Sequence, residues 1–112
     1  RINPEECKRY YNKKISECPE QIIIGQACSI GETAGDSSST GGYYSSSLLK
    51  KAKETAESDL QTIDLSKTYN FPLNHNLAVP VVQKRSGNKQ NPQIEKPRYS
   101  DSDNYLPFAV IA

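Results

Sequence analysis

Methionine and tryptophan are absent from this 112-residue chain, histidine occurs once (His75) and phenylalanine twice. A nascent chain starts with methionine, so one that begins at Arg1 and has none anywhere reads as a processed or trimmed product. Long apolar runs are missing too: no stretch approaches the ~18–20 residues of a membrane span, and none is expected. No charge of one sign prevails. The net charge is +1, which gives no field able to recruit nucleic acid or an anionic membrane. Apolar residues themselves are scarce, at 35%, or about 40% with the six glycines, against a usual ~45–50%. A mean hydropathy of −0.73 agrees. One small domain fits this length, and part of the chain is expected to gain its order outside a self-contained core.

What is present is organised unevenly. Pro4-Glu5-Glu6 after Asn3 supplies an N-cap residue, a proline for the first turn and two acids favourable to the helix dipole. A helix is predicted from there to about Glu17, where Pro19 stops it. Cys7, Tyr11, Lys14, Ile15 and Cys18 then share a face. Ile22-Ile23-Ile24 is β-branched and continuous, which predicts a short buried strand closed or bulged by Gly25. Residues 1–28 thus form a helix–strand unit. Residues 29–45 are rich in Ser, Gly and Thr and read as a linker or loop. Residues 46–63 carry Leu49, Ala52, Ala56, Leu60 and Ile63 at helical spacing, an amphipathic helix with Lys50–Glu54 and Lys53–Glu57 at i, i+4.

From residue 64 to 112 the prolines at 72, 80, 92, 97 and 107 argue against another long helix. This span reads as an extended arm, with Leu77–Val82 as an edge strand because a central strand would reject Pro80. The arm ends on YLPFAVIA, a segment able to add a strand to a sheet and seldom left in water. The fold class expected is therefore α+β: two helices, a few short strands and a long proline-punctuated C-terminal arm.

Three cysteines leave at least one unpaired within the chain. Cys7 and Cys18, eleven positions apart on a helix, would stand roughly 16 Å apart, beyond the ~7 Å between Cα atoms that a disulfide tolerates. Cys28 is the remaining intrachain partner. A strand returning from Pro19 carries it toward Cys7, so Cys7–Cys28 is favoured over Cys18–Cys28, with three reduced thiols as the alternative. A bond would imply an oxidising, extracytoplasmic compartment. The Cys18-x9-Cys28 spacing resembles half of a twin CX9C motif, but Pro19 and Gly25 oppose the helix it needs and there is no second pair.

Chemistry-bearing patterns are few. Cys7, Cys18, Cys28 and His75 lack the short spacings of a zinc knuckle. NFPLNHNLAVP reads as a loop leading into a strand, with His75 solvent-facing or hydrogen-bonded. GETAGDSSSTGG lacks the Lys-Ser/Thr of a phosphate-binding loop. The serines at 37–39 and 45–47 belong to linker composition, and Asp101 and Asp103 to a polar tail. The basic run Lys84, Arg85, Lys89, Lys96 and Arg98 against one acid, Glu95, reads as a solvated loop. No catalytic residue, metal or cofactor is therefore expected. Tyrosine is abundant, at seven residues, and suits half-buried interfaces.

The function expected is that of a non-enzymatic structural or accessory subunit of a larger extracytoplasmic assembly. Its partners would be proteins, copies of itself among the candidates, contacted through Tyr99, Tyr105, Leu106, Phe108, Val110 and Ile111. A small secreted, disulfide-stapled effector, toxin or inhibitor is the alternative.

Overall fold

The computed structural model describes residues 4–37, 41–60 and 68–110. Among them are α1 (Pro4–Glu17), β1 (Ile24–Gln26), β2 (Asp36–Ser37), β3 (Gly41–Gly42), α2 (Tyr43–Leu60), β4 (Thr68–Asn70), α3 (Phe71–Arg85), β5 (Gln93–Glu95) and β6 (Pro107–Val110). The strands form three antiparallel pairs, β1 with β5, β2 with β3 and β4 with β6. The class is α+β, with helices and short strand pairs segregated as expected. No helix among the described residues is long and apolar enough to cross a membrane.

α1 begins at Pro4 with Glu5 and Glu6 in its first turn and ends at Glu17, two residues ahead of Pro19; Asn3, expected to cap it, lies outside the described residues. Tyr11, Lys14 and Cys18 are half-buried on one side, while Ile15 is exposed. The strand expected over the isoleucines is shorter and more open than their composition suggests. β1 starts only at Ile24, and Ile22 and Ile24 face solvent. Gly25 points inward instead, with Ile94 opposite it across the ladder.

α2 starts three residues earlier than expected, inside the Ser/Gly-rich segment, and it buries a different face. Tyr44, Ser47 and Leu48 are buried, whereas Leu49 is exposed. Tyr44 and Leu48 pack on α3, while of the expected stripe Ala52 is half-buried and the Ala56 and Leu60 side chains lie outside the described residues, as does Ile63. Among the described residues of α2, Lys51 and Glu54 form an ion pair at 3.6 Å.

The largest difference is α3. Fifteen residues expected as a loop and an edge strand are one helix, Phe71–Arg85. Its start is well specified: Asn70 is an N-cap in extended geometry, its Oδ1 accepts from the Leu73 N–H at 2.8 Å, and Pro72 sits in the first turn, where its missing donor costs nothing. Lys84 and Arg85 occupy the last turn, favourable to the dipole. The chain then leaves through Gly87 and Asn88, both in left-handed geometry (φ 62° and 64°). The Asn88 N–H donates to the Gln83 carbonyl at 2.7 Å, which satisfies an orphan acceptor of the last turn. Pro80 removes the donor that would have bonded the Asn76 carbonyl. Both residues are exposed, so water can take that bond.

The core sits between α2 and α3. Tyr44 and Leu48 pack with Ala78 and Val82, and Ala27, Tyr43, Phe71 and Phe108 close around them. β6 lies beside β4 with a register shift at Tyr69/Asn70. The apolar C-terminal segment thus finds its strand partner within the chain. Gln21, just after α1, clamps its approach: Nε2 donates to the Asn104 carbonyl at 2.8 Å, and Oε1 accepts from the Leu106 N–H at 3.1 Å.

Candidate functional site

Three polar clusters and one apolar surface stand out. The first is buried. The Tyr44 hydroxyl lies 2.7 Å from His75 Nδ1, and the two rings meet edge to face at 5.6 Å. α2 and α3 bring them together, the one from the second residue of its helix and the other from the first turns of the next. The only histidine is hydrogen-bonded, as one expected alternative held, but on a helix rather than in a loop. Burial alone pushes Tyr44 up to about 12 and pulls His75 below its ordinary value, since each charged form would lose water without gaining a counter-charge. At neutral pH both are uncharged, so the contact is a hydrogen bond between two neutral groups.

The second cluster ties loops together. The Glu32 carboxylate accepts from the Ser29 N–H at 2.8 Å, the Asn91 N–H at 2.7 Å and the Asn91 side-chain amide. The Asn91 amide, followed by the two backbone N–H groups, holds its pKa below the ordinary value. Beside it, the buried Gln90 donates to the Ala27 carbonyl at 2.7 Å and accepts from the Gly35 N–H at 2.8 Å. Residues 29–35, expected as the start of a linker, are thereby fastened together with Ala27 to the segment after α3.

The third cluster lies in the arm. Tyr105 is buried; its hydroxyl donates to the Pro97 carbonyl at 2.8 Å and accepts from the Tyr99 N–H at 3.0 Å and the Lys96 ammonium at 3.1 Å. These bonds, the Tyr99 N–H first and Lys96 next, lower its pKa. The Tyr99 and Tyr105 rings are 5.1 Å apart. Of the residues expected to contact partners, Tyr99, Leu106 and Phe108 are half-buried. Val110 pairs with Thr68 in the β4–β6 ladder, its side chain outside the described residues, as is the whole of Ile111.

The cysteines do not converge on one another among the described residues. The Cys18 Sγ approaches the Tyr105 carbonyl and the Cys28 Sγ the Glu32 carbonyl, each at 3.5 Å. Cys28 is a free thiol. The Cys7 side chain, and with it the favoured pairing, lies outside the described residues. No group of three His, Cys, Asp or Glu side chains among the described residues could hold a metal ion. The basic run is partly committed: Arg85 stacks on Tyr43 at 4.5 Å and donates to Ser46 Oγ at 2.8 Å, and Lys96 lies over Tyr105.

The apolar surface is the feature that sequence reasoning missed. Ile22 is 78% exposed and Ile24 46%, and Ile30 is fully exposed. Ile22 shares a groove with Glu20, Gln21 and Pro97, and Ile30 shares another with Ser29, Gln93 and Ile94. The signal available was the glycine: with Gly25 turned inward to let Tyr44 approach, strand alternation turns Ile24 outward. Comparison with protein-family models, with curated proteins and with solved structures finds no match.

Proposed function

We propose that the protein is a non-enzymatic structural or accessory subunit of a larger extracytoplasmic assembly. It binds a protein partner over the β1–β5 ribbon and the extended segment that follows β5. The observation that carries this reading is the exposure of Ile24 on the solvent side of a two-stranded ribbon and of Ile22 just ahead of it. Covering an isoleucine is worth about 1.5–3 kcal/mol, and a short ribbon with open edges suits strand addition by an extended partner. The arm contributes through Pro97, which lines the Ile22 groove, and through the half-buried Tyr99. Its apolar end is engaged at home, by β4 and by Gln21. The extracytoplasmic setting rests on the cysteine content alone: an oxidising compartment would favour pairing of Cys28, a free thiol in this structure, with Cys7.

The double substitution Ile22→Asp and Ile24→Asp tests this reading. Both side chains face solvent, so the circular dichroism spectrum and urea midpoint should stay as in the wild type. The stoichiometric partner that copurifies with the wild type from its native source should be lost. Retention of that partner by the double variant contradicts the proposal.

A further inference from the structure

Three elements meet at one buried contact. Tyr44 of α2 and His75 of α3 are 7% and 3% exposed, with their hydrogen bond at 2.7 Å. Gly25 of β1 sits against Tyr44 so closely that a β-carbon there would stand 2.4 Å from the Tyr44 hydroxyl and 2.9 Å from Phe71 Cζ, so the ribbon meets His75 through the tyrosine. The titratable group facing His75 from α2 is Tyr44. β1 presents backbone at Gly25, and Phe71 is the next ring in α3. Desolvation alone acts on the His75 titration, with no charged neighbour contributing.

We propose that the His75–Tyr44 contact is an acid-sensitive latch, and that protonation of His75 releases the β1–β5 ribbon from the α2–α3 pair. With the Tyr44 hydroxyl donating, neutral imidazole accepts at Nδ1. The added proton occupies that lone pair, so two donors face each other until the hydroxyl turns away. The new charge is then buried without a carboxylate among the described residues to balance it. Water must reach it, and the ribbon is the layer that yields most easily. The helices share Leu48, Ala78 and Val82, whereas on the ribbon side the described contacts are Gly25 against Tyr44 and Ala27 against the cluster. The Gln90 bond to the Ala27 carbonyl is neutral and does not strengthen on acidification.

The sign follows from linkage. Burial depresses the pKa of His75 in the closed state, so the open state takes up the proton first. The contribution of the latch is complete above about pH 6.5 and is lost as pH falls below it. At pH 5 the open form gains at most about 30-fold if the closed form stays neutral. Glu32, held below its ordinary 4.5, remains ionised there, so its loop ties are unchanged.

Hydrogen exchange on the full chain at pH 7.5 and 5.0, expressed as protection factors, tests the latch independently of whether the isoleucine surface binds a partner. Protection over residues 24–27 and 93–95 should fall about tenfold or more at pH 5, while the amides of Ala78 and Val82 change less. In His75→Gln, which can still accept from Tyr44 but cannot be protonated, ribbon protection should be the same at both pH values. A wild-type ribbon unchanged within about twofold, or an equal loss in His75→Gln, overturns the proposal. Should that variant fail to fold, NMR titration of the single imidazole decides the matter in the wild type. An apparent pKa below 6.5 coincident with ribbon opening supports the latch, and titration without ribbon opening overturns it.

Discussion

A β-carbon at Gly25 would collide with the Tyr44 hydroxyl at 2.4 Å and with the Phe71 ring at 2.9 Å, two groups held by the helix pair. Gly25→Ala must therefore push β1 outward or force the tyrosine from its bond with His75. The expected cost is about 1–3 kcal/mol, the range for overpacking a filled core, read as a lower urea midpoint with unchanged slope. An unchanged midpoint would mean that β1 is not seated on Tyr44. The sequence announced a glycine in an isoleucine-rich strand, and an end or a bulge was the natural expectation. What approaches the glycine lay in tyrosine and phenylalanine 19 and 46 positions later, beyond any local pattern. His75 was hidden similarly: a lone histidine carries no periodic signal, and its partner lies 31 residues away.

Among the elements, α1 was legible because cap, proline and acids agree, and the stop at Pro19 is local chemistry. α3 was obscured by its own composition. Its buried positions include Asn74 and His75 beside Ala78 and Val82, while Leu73 and Leu77 face solvent. Hydrophobic periodicity therefore fails there. Pro80 weighed against the helix, although the opening (Asn70 with Pro72) and the closing (Gly87) were both in the sequence. The same proline supplies a test. An interior proline costs about 3 kcal/mol relative to alanine, partly offset by the roughly 0.4–1 kcal/mol it removes from the freedom of the unfolded chain. Pro80 is exposed and touches no core residue of the buried cluster. Pro80→Ala should accordingly stabilise the protein by about 2 kcal/mol, seen as a higher urea midpoint. A loss of stability would show that Pro80 is required by the packing of α3.

At the scale of the whole molecule, the thin apolar supply read from composition has a structural counterpart. The radius of gyration is 14.9 Å, against about 13 Å for a compact chain of this length. Only Tyr44, Leu48, Ala78, Val82 and Tyr105 are fully buried hydrophobics among the described residues. Polar side chains do much of the joining instead. Gln21, Glu32, Gln90 and Asn91 fasten loops to distant backbone, a kind of contact no hydrophobicity pattern reveals. The isoleucines that might have enlarged the core are left at the surface of the ribbon, where a partner would bury them.

Native mass spectrometry of the protein purified from its natural source addresses that central claim most directly. The account predicts a complex of fixed stoichiometry, heavier than the single chain, which falls back to the single chain when Ile22 and Ile24 are replaced by aspartate. A stable monomer without a partner would contradict it.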